Sequence, residues 1–146
     1  MSTDTIELWH KRARPEPTER DFDVQLGCHF EEISEMLDSL EFTMDGVEYE
    51  AFNLRTAVRN ISLLLKNGEV QAEVSKRKDF ADSVGDQVVT VIGAAYCAGM
   101  KPNEIIRRVN LSNWTKFNSD GFPEFDKNGK ISKPSSYVQP DLEGTY

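Results

Sequence analysis

Two rows of carboxylates stand out. Glu31, Glu32 and Glu35 fall at i, i+1 and i+4, and Asp79, Asp82 and Asp86 at i, i+3 and i+7. On a helix the glutamates span about 100° and the aspartates about 60°. Residues at i+3 and i+4 lie roughly 5–6 Å apart, where like charges repel. By themselves the glutamates also read as a solvated face. The aspartates adjoin the apolar run from Val88 to Met100, and carboxylates at the edge of a core are costly without partners. The remedies are basic partners, raised pKa values or a bound cation. Lys76, Arg77 and Lys78 precede the row and are expected to face water. A hard divalent ion fits better, because Mg²⁺ takes carboxylate oxygens and is completed by substrate phosphates; Mn²⁺ is the alternative. His10 and His29 make no zinc ligand set.

Amides and lysines form a third group. Asn113 shares a helical face with Ile106, Val109 and Phe117, and Asn110 lies close to it. An amide on an apolar stripe needs a partner, either a neighbouring helix or a ligand hydroxyl, base edge or phosphate. Lys116 follows one turn after Asn113, and Lys130 and Lys133 sit in the tail, where they can meet phosphates. Simple solvation is the plainer reading of each lysine.

Helices must position these groups. Leu26, Phe30, Ile33, Leu37 and Leu40 recur at helical spacing and predict a helix from Arg20 to Leu40. Leu54, Val58, Ile61 and Leu65 predict another over 53–67, stopped at Asn67-Gly68. Between them, residues 41–52 read as a small hairpin about Asp45-Gly46 or as an irregular loop. A third helix is expected from Ser75 to Ala98; it is apolar nearly all round after Val88, hence central and buried on every face. Pro102 opens a last helix to about Phe117. Residues 1–19 form an N-terminal segment with a helical turn around Trp9 and His10, and 118–146 a tail with turns at Asp120-Gly121 and Asn128-Gly129. The expectation is an all-α bundle of four to five helices with an irregular tail, a single domain over 1–146.

Composition narrows the function. At 146 residues the chain suits one domain. A net charge of −8 disfavours duplex nucleic acid. No apolar run approaches the roughly 20 residues that span a bilayer, so no membrane partner is expected. Met1 to Arg20 has no apolar signal region, and Cys28 and Cys97 read as reduced, buried thiols, which points to the cytoplasm.

Three blocks carry a family resemblance. The first runs from Gln25 to Leu37 and contains E-E-x-x-E as Glu31, Glu32 and Glu35. The second runs from Asp79 to Met100, with Asp79 and Asp82 at the positions of E-x-x-D and Asp86 four residues on. The third begins at Asn110 with Ser112, Asn113 and Lys116 in an S-N-x-S-K-like block, and continues to Lys130 and Lys133 in a G-K-x-x-K tail. Together they resemble the MazG-like, all-α nucleoside triphosphate pyrophosphohydrolases, especially small phosphoribosyl-ATP pyrophosphohydrolase-like members of the phage type. The blocks cover about half the chain, and residues 38–75 match nothing in the pattern. Asp79 stands where the family more often has Glu, which shortens the arm by one methylene, and Thr115 replaces a Ser.

The resemblance implies Mg²⁺-dependent cleavage between the α and β phosphates of a nucleotide, by a homodimer or dimer of dimers. It implies metal binding by Glu31, Glu32, Glu35, Asp79 and Asp82, with Asp86 a ligand or a support. One of Glu31 and Glu32 would handle the attacking water. Asn110, Asn113, Lys116, Lys130 and Lys133 would bind substrate. The charge agrees, since an acidic protein needs bridging cations to hold a triphosphate. Two alternatives stay open: phosphoribosyl-ATP pyrophosphohydrolase itself, or a non-enzymatic acidic helical interaction module.

Overall fold

The computed structural model describes residues 3–43 and 46–146. Among them the chain is all-helical, with five helices and no strand: α1 (Asp4–Ala13), α2 (Glu19–Asp38), α3 (Val47–Asn67), α4 (Arg77–Cys97) and α5 (Pro102–Trp114). No described helix is long and apolar enough to cross a membrane. The chain forms two compact units. One comprises Pro17–Ala72 with Phe125–Lys130; the other comprises Met1–Glu16, Glu73–Glu124 and Ile131–Tyr146.

The first unit is an α2–α3 hairpin with a loop of the tail laid on it. Thr18 and Asp21 close a capping box at the start of α2, Asp21 N donating to Thr18 Oγ1 at 3.2 Å and Thr18 N to Asp21 Oδ2 at 2.9 Å. Glycines with positive φ bound α3, Gly46 at 90° and Gly68 at 76°. The hairpin reading of 41–52 therefore fails from Val47 onward, where the chain is already helical; Met44 and Asp45, in the expected turn, lie outside the described residues.

The two helices meet through small residues. Asp23, Val24, Gly27 and Ser34 are the buried positions of α2, and Ser62 and Leu65 those of α3. Ser62 Oγ donates to Gly27 O at 2.7 Å. A Cβ on Gly27 would lie 2.8 Å from Lys66 Cγ and 3.0 Å from Ser62 O, so only glycine permits this approach. The pairs Gly27 with Ser62 and Asp38 with Arg55 make the helices antiparallel. The expected stripe of Leu26, Phe30, Ile33 and Leu37 is only half-buried, and Leu40 is exposed. It lies to one side of the α3 contact. By helix geometry Leu54, Ile61 and Leu64 of α3 turn to that same side, where they too are exposed.

In the other unit, α1 is a ten-residue helix rather than a single turn, and it packs on α5. Trp9 and Ala13 are its buried residues. Trp9 Nε1 donates to Asn113 O at 2.8 Å, and its ring meets Phe117 edge-on at 5.9 Å. The tail returns along α5, with Arg108 Nη1 donating to Asp141 O at 2.9 Å and Ser112 Oγ to Val138 O at 2.6 Å. Turns fall at Gly121 and Gly129, both with φ above +60°.

The greatest departure from expectation is α4. No residue of it is buried. Val89 is 68% exposed, Val91 52% and Tyr96 73%. Apolar composition all round predicts a buried helix; here it accompanies an exposed one.

Candidate functional site

In the hairpin unit, Glu31 is the organising carboxylate. It sits on α2 one turn beyond Gly27, beside the end of α3. Lys66 Nζ lies 2.9 Å from its Oε1, and Lys130 Nζ donates to Oε2 at 2.7 Å. Lys66 reaches it because its stem runs against Gly27. Lys130 comes from a different part of the chain, on the loop Asp126-Lys-Asn-Gly-Lys130. That loop is built by its first residue, with Asp126 Oδ1 accepting from Asn128 N at 2.8 Å and Lys130 N at 3.0 Å. Asp126 N donates to Lys130 O at 2.8 Å, and Gly129 takes the left-handed turn at φ 84°.

Arg20 holds the loop down. Its guanidinium donates to Asn128 O at 3.0 Å, to Leu65 O at 2.5 Å and to Lys66 O. One cation thus caps the carbonyl end of α3, where the helix dipole is negative, and clamps the loop that carries Lys130.

The electrostatics follow. Burial by itself would raise the Glu31 carboxyl; hydrogen bonds from Lys130 and Lys66, with their charges, outweigh it and hold the group below the ordinary carboxylate value. Burial works against the Lys130 ammonium, but Glu31, together with the nearby Cys28 and Glu32, raises it above the ordinary value. Glu32 and Glu35 lie on the exposed side of α2. So Glu31, Glu32 and Lys130 come together, with Glu35 a turn away on the same helix.

The second unit holds the remaining candidates. Asp79, Asp82 and Asp86 are all exposed on α4. Lys116 and Lys133 converge on one ring: Lys133 Nζ is 4.9 Å and Lys116 Nζ 5.9 Å from the centroid of Tyr137. Lys116 also lies 5.9 Å from the Trp9 ring, an arrangement that favours cations. Asn110 is buried, and its amide donates to Thr5 Oγ1 at 3.0 Å, a helix-to-helix use. Asn113 is half-buried and accepts the Trp9 indole on its main-chain oxygen.

Carboxylate oxygens on α2 and α4 are the donor type Mg²⁺ prefers. Among the described residues, no three His, Cys, Asp or Glu side chains are gathered closely enough to hold a metal ion as they stand. Cys28 is half-buried, and Cys97 is exposed rather than buried as expected; on α4 it shares the general exposure of that helix.

Two features escaped the sequence reading. Arg20 and Lys66 sat in plain helical patterns, and nothing local marked them as partners of residues 45 and 35 positions away. The Glu104 cluster also went unread, although Arg107 and Arg108 stand at i+3 and i+4, the spacing of helical ion pairs. Arg107 Nε and Arg108 Nε each donate to its carboxylate at 2.8 Å. These hydrogen bonds lower its pKa to about 2.

No family model, curated protein or solved structure matches the chain.

Proposed function

We propose that this chain is a Mg²⁺-dependent nucleotide pyrophosphohydrolase of the cytoplasm. It would cleave the α–β phosphoanhydride of (deoxy)nucleoside triphosphates to monophosphate and pyrophosphate, and so control a nucleotide pool. The observation that carries the reading is the contact of Lys130 with Glu31 at 2.7 Å. The E-E-x-x-E block and the G-K-x-x-K tail are 99 residues apart at that contact, yet the fold joins them. A cluster holding carboxylates for a cation and a lysine for phosphate suits a metal-bridged polyphosphate.

The roles divide by environment. Both Glu31 oxygens accept from lysines, so its work is to hold Lys66 and Lys130 in place. Glu32 is exposed beside it and is the better placed of the two to orient or deprotonate the attacking water. Glu35, Asp79, Asp82 and Asp86 supply further hard oxygen donors. When bound, Mg²⁺ supplies polarisation of the phosphoryl oxygens and cancels charge between acid and substrate. Lys130, Lys116 and Lys133 neutralise phosphate oxygens; Asn113 is available for sugar or base contact, and Asn110 steadies α5 against α1. Phosphoryl chemistry of this kind asks for positioning and charge rather than a covalent nucleophile.

The test is a nucleotide panel, phosphoribosyl-ATP included, with Mg²⁺ or Mn²⁺ and detection of pyrophosphate. Glu35→Gln and Asp82→Asn should each cut turnover by about 100-fold or more with helical content unchanged. If no nucleotide releases pyrophosphate or raises the melting temperature with either ion, the acids form an interaction face and the enzyme reading is wrong.

A further inference from the structure

The tail beyond Tyr137 is held to α5 by one row of residues. Lys101, Arg108, Ser112 and Thr115 follow one another at steps of seven, four and three, so they fall within about 60° on one side of the helix. Lys101 and Thr115 are its two caps. Each of the four bonds the main chain of the tail. Thr115 Oγ1 accepts from Val138 N at 2.8 Å, and Ser112 Oγ donates to Val138 O at 2.6 Å. Arg108 Nη1 donates to Asp141 O at 2.9 Å and to Glu143 O at 3.0 Å. Lys101 donates through Nζ to Gly144 O and through its main-chain N to Thr145 O, both at 2.8 Å. Thr145 is 1% exposed and closes the row. Bonds of this kind fix a path and a register whatever side chains the segment carries. Pro134 and Pro140 reduce the conformations a free segment would lose on docking, which favours the bound path.

What this path delivers is the ring of Tyr137. Tyr137 N donates to Pro134 O at 3.0 Å, a turn that folds the chain back, and Lys133, just before it, has its Nζ 4.9 Å from the ring centroid. Ser112 Oγ stands 3.4 Å from the phenol oxygen at the far end of the ring. Lys116 Nζ, from the end of α5, is 5.9 Å from the same centroid. The two ammonium groups are no farther apart than those two distances together, and like charges so placed repel. The negative faces of the ring offset part of that repulsion. Both lysines have flexible stems, and the ring is the contact they share.

We propose that residues 138–145 form a strap that sets the spacing of Lys116 and Lys133 through Tyr137, and with it the affinity of this lysine pair for a polyphosphate anion. Arg108 and Ser112 are positioning residues; they act on the ligand only through the strap and the ring. Glu104 supports them, because its carboxylate accepts from Arg108 Nε at 2.8 Å and so orients the guanidinium whose Nη1 holds the strap. The part concerning polyphosphate rests on the proposed function; the part concerning the spacing does not.

Proton NMR of the full chain reads the spacing. In the wild type the ε-methylene protons of Lys133 should lie upfield, displaced by the Tyr137 ring. Arg108→Met and Ser112→Ala should each return that shift at least halfway to the value of a free lysine, with helical content unchanged. Arg108→Lys keeps a donor for the strap carbonyls and should restore most of it. Calorimetry with inorganic triphosphate and Mg²⁺ reads the affinity: Kd should rise about tenfold in Arg108→Met, as a preorganised pair is loosened. For a nucleotide that is turned over, KM should rise with kcat unchanged. A Lys133 shift unmoved by both Arg108→Met and Ser112→Ala overturns the strap, since a merely structural role lowers the melting temperature and leaves the ring in place. A shift that moves while Kd stays the same overturns the link to affinity. If the wild type neither binds triphosphate nor releases pyrophosphate from any nucleotide, the proposed function fails and the affinity link falls with it, whereas the Lys133 shift still decides the strap.

Discussion

Replacing Lys66 by Met tests whether Glu31 is held by two unequal cations. Methionine keeps the stem that lies on Gly27 and removes only the ammonium. That ammonium is 2.9 Å from Glu31 Oε1, with the Lys66 side chain 12% exposed and the Glu31 side chain 32% exposed. A hydrogen bond to a charged group in such a setting contributes about 1.5–3 kcal/mol. Lys130 still pairs with the carboxylate, so Lys66→Met should cost about 1–2 kcal/mol. The Lys130 side chain is 42% exposed, and solvent screening reduces Lys130→Met to about 0.5–1 kcal/mol. With both gone, a half-buried carboxylate has lost both ammonium partners, and the double variant should cost about 1 kcal/mol or more beyond the sum. Urea unfolding at pH 7 and one fixed protein concentration measures all three, with the slope m unchanged. Additivity within about 0.3 kcal/mol, or a larger loss at Lys130 than at Lys66, would refute the two-cation account.

Three further outcomes are expected. Gly27→Ala should destabilise by about 1–2 kcal/mol in the same assay: helix propensity favours alanine by about 1 kcal/mol, but contacts at 2.8 Å and 3.0 Å force α3 away from α2. Arg20→Met should cost about 1–2 kcal/mol and loosen the 126–130 loop, read as faster exchange at the Lys130 amide. Glu104, at a pKa of about 2 against an ordinary 4.5, contributes its stabilisation fully above the ordinary value; it loses it as pH falls through that value toward about 2. Carboxyl NMR should find Glu104 still ionised at pH 3, and Glu104→Gln should abolish that part of the acid sensitivity.

Much of the helical framework could be read from the chain. The three-and-four spacing placed α2, α4 and α5 to within a few residues, and Gly68 ended α3 as expected. The start of α3 was missed because residues 47–52 carry no clear helical stripe and Asp45-Gly46 suggested a turn. The packing was less legible. Hydrophobic periodicity picks out large residues, whereas α2 meets α3 through Val24, Gly27 and Ser34, whose smallness lets the backbones approach. For the candidate site, the acids were visible as rows, but the two lysines on Glu31 were not. Lys66 depends on the Gly27 contact, and Lys130 on a tail loop returning across 99 positions. Side-chain type says what a group can do; only the fold says which distant group it does it with.

The clamp on the hairpin also imposes an order on folding. α2 and α3 are complete once the chain has been made as far as Ala72, and the hairpin is local enough to form by itself. Lys130 and the carbonyl of Asn128 do not yet exist. At a synthesis rate of about 5–20 residues per second, the hairpin waits roughly 3–12 seconds for its tether. During that interval Glu31 has Lys66 but not Lys130, and the guanidinium of Arg20 holds only the α3 carbonyls. The newborn hairpin therefore holds its most acidic helix without the second cation on Glu31, and gains that cation only once the 126–130 loop has been made.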